Sequence, residues 1–280
     1  MTQVQRILHP TDFSQCSLKA LDLAQRLSHM LPASLTLFHV ADLRDLQVGA
    51  TSMYAGAAGA EWLQPAIDQR LLEAKARLGE LCRPQDQKEV RIGAAAPEII
   101  ARSADTDLVV MGTHSRTGLA HLFLGSVAEA TVRASPAPVI TVPLAANLRP
   151  PRLILVATDF SPSAHRALSY ARLLAAATGA DLAIVHVLDE TRQASPEQAH
   201  QQLAQLASDL SQRRRLLVAG KPAPAILELA TDLGVDFIAL GTHGRTGLAR
   251  LMFGSVAEHT VCHSLVPVLT ARELPTTQPQ

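Results

Sequence analysis

The stretch GTHGRTGLARLMFGSV, residues 241–256, decides the fold. It follows a short apolar run, residues 237–240, with the length and composition of a buried strand, and it precedes a helix-compatible segment. Glycine at Gly241 and Gly244 permits positive φ and lets the backbone approach a ligand closely. Gly254-Ser255 then opens a helix, whose unpaired N–H groups and dipole favour an anion such as phosphate. Because glycines are also ordinary turn residues, one such stretch alone decides little.

The same stretch occurs a second time upstream, as GTHSRTGLAHLFLGSV at residues 112–127. Aligned without a gap, residues 112–141 and 241–270 are identical at 20 of 30 positions. Turn chemistry alone does not require that much identity. A chain of 280 residues is long enough for two domains, and the internal repeat predicts two.

The boundaries of the two repeats follow from where the pattern restarts. We expect domains over residues 1–144 and 152–272, a stiff proline-ended linker over 145–151, and a disordered tail over 273–280. The spacing between matching residues falls from 147 to 127 across the segment 41–63, so the first repeat carries an insertion there. We assign that insertion no regular structure.

Charge and composition exclude several classes of protein. Lys plus Arg and Asp plus Glu both number 25, which predicts neither a nucleic-acid nor an anionic membrane partner. No run of 18 apolar residues and no signal region occurs, so we expect a cytoplasmic protein. Cys16, Cys82 and Cys262 are widely spaced without a CxxC, which favours reduced packing residues over disulfides or zinc ligands.

The order of predicted elements gives the fold class. Each half has the order β-α-β-α-β-α-β-α-β, beginning with strands at Arg6–Pro10 and at Leu153. This order predicts an α/β protein of two tandem doubly wound parallel five-stranded sheets, with ligand clefts outside the carboxyl ends of the strands. The last strands, residues 138–142 and 267–270, have the character of sheet edges, which tend to be covered.

Both halves resemble the universal stress protein family. The resemblance rests on an Asp at the end of the first strand, and on Gly-x-x-Gly, nine residues, then Gly-Ser after the fourth. It covers nearly the whole chain and implies a Rossmann-like, adenine nucleotide α-hydrolase-like fold, with the two halves paired through their edges as a pseudo-dimer. It also implies binding of ATP with Mg²⁺, and a regulatory stress-response role with at most slow ATP hydrolysis.

The resemblance assigns cofactor-binding residues in each repeat. In the second repeat it implies Asp159 beside the nucleoside, Val187 at the adenine and Gly241 against the ribose. The full set expected there is Thr158, Asp159, Val187, Leu240, Gly241, His243, Gly244, Arg245, Gly254, Ser255 and Val256. The set expected in the first repeat is Thr11, Asp12, Val40, Met111, Gly112, Ser115, Gly125, Ser126 and Val127.

The first repeat departs from the family pattern at Ser115, which stands where the second repeat has Gly244. If the backbone there needs φ > 0, serine costs about 1 kcal/mol or more. We therefore expect the second cleft to bind ATP more tightly. Two other functions remain open: a dimerisation or interaction module that binds no nucleotide, and an enzyme that uses an activated adenylate.

Several side chains near the motifs allow a functional or a structural interpretation. Asp12 and Asp159 either meet the nucleoside or Mg²⁺, or cap the turn before the first helix. His114 and His243 lie within the glycine loops, and three roles are open for them: contact with phosphate, proton transfer or anchoring of the loop. His39, like His186, is expected to be a packed or hydrogen-bonded strand histidine.

The sequence assigns no catalytic residue and no protein metal ligand. It lacks the G-x-x-x-x-G-K-[ST], G-x-G-x-x-G and G-x-S-x-G patterns, which disfavours a P-loop ATPase, a dinucleotide oxidoreductase and a serine hydrolase. The partners expected are ATP and the other half of the same chain, with a homodimer left open.

Overall fold

The computed structural model describes residues 3–42, 64–113, 124–189, 195–242 and 253–273. The first repeat consists of β1 (Arg6–Pro10), α1 (Gln15–Met30), β2 (Ser34–Ala41), α2 (Gln64–Leu81), β3 (Gln87–Ile92), α3 (Ala95–Ser103), β4 (Leu108–Gly112), α4 (Ser126–Ala134) and β5 (Val139–Val142). The second consists of β6 (Leu153–Ala157), α5 (Pro162–Thr178), β7 (Asp181–Leu188), α6 (Pro196–Leu206), β8 (Arg215–Ala219), α7 (Pro222–Asp232), β9 (Phe237–Gly241), α8 (Ser255–His263) and β10 (Val268–Ala271). The predicted fold class is confirmed.

The strands form one sheet of ten, in the order β3-β2-β1-β4-β5-β10-β9-β6-β7-β8. Neighbouring strands are parallel within each repeat, and β5 and β10 meet antiparallel at the centre, with Val268 opposite Thr141 and Thr270 opposite Val139. Two hydroxyls add bonds across this junction: Thr141 Oγ1 donates to Val268 O at 3.3 Å, and Thr270 Oγ1 donates to Val139 O at 3.1 Å. The two halves thus join edge to edge about an approximate twofold axis, as the sequence predicts.

Helices cover both faces of this sheet, and the apolar core differs between the faces. On the face of α1, α2, α5 and α6, one cluster contains residues of both repeats, among them Leu27, Ile140, Leu168 and Leu269. On the face of α3, α4, α7 and α8, the core divides into two clusters, and the buried members of each belong to one repeat. Of the helices within the described ranges, none is long and apolar enough to span a bilayer.

An aspartate before the fourth strand of each repeat fixes the start of that repeat. Asp107 Oδ2 accepts the backbone N–H of Arg6 at 2.9 Å, and Asp236 Oδ2 accepts that of Arg152 at 2.7 Å. Asp236 also accepts from the side chain of Arg149, which ties the linker to the second repeat. Burial raises the pKa of both carboxyls, but these hydrogen bonds outweigh it, so each pKa lies below its usual value.

His9 is buried within β1, a feature that the sequence analysis missed. Its Nδ1 lies 2.9 Å from Val110 O, and its Nε2 has no hydrogen-bond partner among the described residues. Burial lowers the pKa of this imidazole to about 4, because the charged form is poorly solvated there. The second repeat has Val156 at the matching position.

Candidate functional site

The sequence Thr-Asp-Phe-Ser forms a tight turn between β1 and α1. Thr11 Oγ1 accepts the N–H of Phe13 at 3.1 Å, and Asp12 Oδ1 accepts that of Ser14 at 3.0 Å. Ser14 is the N-cap of α1, and Phe13 has φ of 64°, which is rare for an aromatic residue. The capping role considered for Asp12 is therefore present, and it places this carboxylate at the carboxyl end of β1.

The second repeat builds the same turn between β6 and α5. Thr158 Oγ1 accepts the N–H of Phe160 at 3.0 Å, and Asp159 Oδ1 accepts that of Ser161 at 3.0 Å. Phe160 has φ of 63°. The two repeats therefore share both the hydrogen bonds of this turn and its backbone outlier.

A histidine from the second strand of each repeat holds this turn in place. His39 Nδ1 lies 2.8 Å from Thr11 O, and His186 Nδ1 lies 2.7 Å from Thr158 O. Each imidazole also lies beside the phenyl ring of its turn, with ring centroids 4.6 Å apart. These are hydrogen-bonded strand histidines, as predicted.

Gly112 and Gly241, the last residues of β4 and β9, allow a helix to approach the strand end. A Cβ on Gly241 would lie 2.3 Å from Ser163 Oγ and 2.7 Å from Ala164 N, both in the first turn of α5. One on Gly112 would lie 2.9 Å from the carbonyl carbon of Cys16 in α1. Among the described glycines, positive φ occurs at other positions, so the backbone freedom considered for Gly241 is not used there. Close helix packing explains both glycines without a ligand.

The Gly-Ser pairs begin α4 and α8, as expected. Gly125 and Gly254 are the N-caps, and neither helix has a side-chain cap. Each glycine N–H donates to the residue after the preceding strand: Gly125 to Thr113 O at 2.8 Å and Gly254 to Thr242 O at 2.9 Å. The N–H groups of the next three residues have no partner within the helix, which leaves a positive helix end open to an anion.

These elements line an open cleft in the first repeat, at the carboxyl ends of β1, β2 and β4, with an empty volume of about 650 Å³ that includes space open to solvent. The cleft brings together every described residue predicted for this repeat: Thr11, Asp12, Val40, Met111, Gly112, Gly125, Ser126 and Val127. It is also lined by residues that the sequence analysis missed as site residues, including Phe38, His39, Ala95, Ile99 and Thr113. Ile99 recurs as Ile226 in the second repeat, and this recurrence could have identified Ile99 as a site residue.

In the second repeat the predicted residues occupy matching places. Thr158 and Asp159 follow β6, Val187 lies in β7, Leu240 and Gly241 end β9, and Gly254, Ser255 and Val256 begin α8. Of the 16 residues that line the first cleft, 11 recur at the matching positions. The five that differ are Pro10, Ser17, Phe38, Ala95 and Met111, replaced by Ala157, Ala164, Val185, Pro222 and Leu240.

Some predictions fall on residues outside the described ranges. These are the predictions for His114, Ser115, His243, Gly244 and Arg245, for most of the insertion 41–63 and for the tail. Within the described ranges, no three His, Cys, Asp or Glu side chains gather as a metal-binding group.

The fold and its site residues define a class of protein: two doubly wound α/β repeats joined through their last strands, with a cleft at the strand ends of the first and matching residues at those of the second. The profile of the Universal stress protein family matches residues 3–143 and 151–272. The chain belongs to the universal stress protein family.

Individual relatives agree with this assignment. A universal stress protein of Mycobacterium tuberculosis is 30% identical over 207 residues, which cover 66% of this chain and 64% of that protein. One from Mycolicibacterium smegmatis is 28% identical over 226 residues, covering 74% and 76%. A crystal structure of a universal stress protein from Archaeoglobus fulgidus superposes with a TM-score of 0.68 at 25% identity, covering 96% of this chain and 99% of that one. The chain thus spans just under two thirds of the length of the first of these relatives.

Proposed function

We propose that the chain binds ATP in its two clefts and acts as a nucleotide-dependent regulatory protein of the stress response, with at most slow hydrolysis. The observation that carries this proposal is the make-up of the first cleft. Its wall includes the apolar side chains of Val40, Ile99 and Met111, suited to a base, and its far side includes Gly125 and Ser126 at a helix N-terminus, suited to phosphate.

Different residues of the cleft would contact different parts of ATP. Asp12 and the backbone of Val40 would face the nucleoside, while the N–H groups at the start of α4 and the Ser126 hydroxyl would face the phosphates. Bound Mg²⁺ would neutralise part of the phosphate charge. The second cleft offers the same groups through Asp159, Val187 and Ser255, and we propose that it is the tighter of the two.

A second candidate function, an interaction module without nucleotide, has its own support. The motif residues Asp12 and Asp159 cap turns, and Gly112 and Gly241 admit a helix, so all four have structural roles that need no ligand. The two candidates differ in one measurable property, which is whether the purified chain carries or binds ATP.

The test combines nucleotide extraction with charge substitutions at the helix ends. Ser126→Asp and Ser255→Asp place a carboxylate in the first helical turn, where it suits the helix dipole but repels a triphosphate. Gln198→Asp makes the same charge change in the first turn of α6, on the other face of the sheet, and is the control.

We expect mass spectrometry of the denatured wild-type protein to show ATP, and titration with Mg-ATP to refill the clefts. Each serine substitution should weaken its own cleft by at least about tenfold, which corresponds to ~1.4 kcal/mol, while the control binds as the wild type does. A wild-type chain that neither carries nor binds ATP would leave the interaction module as the function.

A further inference from the structure

Two side chains connect the divided core on the α3, α4, α7 and α8 face. One cluster there is built from first-repeat residues such as Leu8 and Ile99, and the other from second-repeat residues such as Leu155 and Ile226. Of the described residues, Leu124 and Phe253 alone are half-buried side chains that pack against both clusters. Each therefore reaches the core of the repeat to which it does not belong.

The two residues occupy the same position in their repeats, 129 residues apart. Each directly precedes a Gly-Ser pair, so its backbone is continuous with the N-cap of α4 or α8. Burial raises the pKa of the Cys262 thiol of α8, and the nearby backbone of Leu124 partly offsets this, so the thiol lies beside the backbone that precedes Gly125. The position of Gly125 thus depends on packing in the second repeat.

The packing of Phe253 against the core of the opposite repeat also involves residues of the cleft wall. Phe253 packs against the first-repeat cluster that contains Phe38, Ile99 and Met111, and these three side chains line the first cleft. Truncation of Phe253 would therefore loosen a wall of the cleft in the other repeat. A residue that only filled space in its own repeat would have no such connection.

We infer that Leu124 and Phe253 are positioning residues that hold each Gly-Ser turn against the core of the opposite repeat and so couple the two clefts. This inference rests on the proposed nucleotide binding. A ligand that draws in one Gly-Ser turn moves the side chain next to it, and that movement changes the packing around the other cleft. Couplings of this kind change affinity by about 5- to 150-fold.

The experiment uses the full chain with one cleft blocked. In a Ser255→Asp background, Mg-ATP titration reports on the first cleft, and Phe253→Ala should weaken it by about fivefold or more. Phe253→Leu, which introduces the residue of the first repeat, should restore most of the affinity. Leu265→Ala, at a side chain 69% exposed in the second repeat, is the control and should change nothing. Leu124→Ala in a Ser126→Asp background gives the reciprocal measurement on the second cleft.

A second readout needs no nucleotide. Hydrogen exchange of the ligand-free Phe253→Ala protein should be faster by about fivefold or more at the Gly125 amide, with global unfolding measured alongside. Unchanged affinity in the first cleft, or exchange at Gly125 that rises only as much as global unfolding does, would overturn the positioning role. If the wild-type chain binds no Mg-ATP, the proposed function fails, and the exchange measurement still decides whether the packing of Phe253 supports the first cleft at Gly125.

Discussion

Gly241→Ala separates a packing role of the motif glycine from a ligand-binding role. The added Cβ would lie 2.3 Å from Ser163 Oγ, 2.7 Å from Ala164 N and 2.9 Å from the carbonyl carbon of Ser163. The hydroxyl can rotate away, but the two backbone atoms cannot, so the first turn of α5 must move. Overpacking of this kind costs about 1–3 kcal/mol, and we expect the upper end here because backbone is displaced.

Alanine substitutions at two other glycines should change the stability by smaller amounts or in the opposite direction. Gly112→Ala meets Cys16 at 2.9–3.0 Å and should destabilise the protein less, by about 1–2 kcal/mol. Gly79→Ala lies inside α2, where the nearest atom is the flexible Lys88 Nζ at 3.5 Å, and should stabilise it by up to ~1 kcal/mol. Ser163→Ala combined with Gly241→Ala should recover only part of the loss, since the backbone contacts remain.

The assay is urea-induced unfolding of nucleotide-free protein. We expect the midpoints to rise in the order Gly241→Ala, Gly112→Ala, wild type, Gly79→Ala, at similar slopes. If Gly241→Ala unfolds at the wild-type midpoint without nucleotide, the packing explanation is refuted and the glycine serves the ligand instead.

The buried titratable groups give two further predictions. Asp236→Asn should lose about 1–3 kcal/mol at neutral pH, because the charged acceptor of the Arg152 N–H is gone. Since the folded-state pKa of Asp236 is lowered, the wild-type advantage is present above pH 3.8 and lost as pH falls further, which urea titrations at several pH values would show; equal acid sensitivity in both proteins would contradict it. His9→Val, which introduces the residue of the second repeat, should remove an acid sensitivity worth up to ~3 kcal/mol between pH 6.5 and about 4. The sign follows because the unfolded chain takes up the proton first as the pH is lowered, so the stability of the wild type decreases from pH 6.5 to about 4. A His9→Val protein with the same pH profile as the wild type would show that this imidazole does not titrate as proposed.

Features governed by short stretches of chain were predictable from the sequence. The Thr-Asp-Phe-Ser turn, the Ser14 N-cap and the start of α4 after Gly125 depend on residues a few positions apart, and the repeat showed each of them twice. Their convergence in a cleft followed from strand order, because parallel strands place their carboxyl ends together.

Features set by contacts across the fold were not predictable. The sequence gives no sign that Asp236 binds the backbone at Arg152 or that His9 is buried, because both depend on which strands become neighbours. The packing of Leu124 and Phe253 against the opposite repeat depends in addition on the antiparallel register of β5 and β10, because this register sets how the two repeats face each other. Such contacts follow from the assembled sheet and leave no periodic pattern in the chain.

The antiparallel meeting of β5 and β10 has a consequence for how the protein responds to dilution. Two separate chains joined through the same strands would obey a dimerisation equilibrium and come apart at low concentration. Here the residues 145–151 connect the two edges, so the pairing is intramolecular and is governed by an effective concentration of the millimolar order. Every molecule therefore keeps its two repeats paired in a one-to-one ratio, however scarce the protein is.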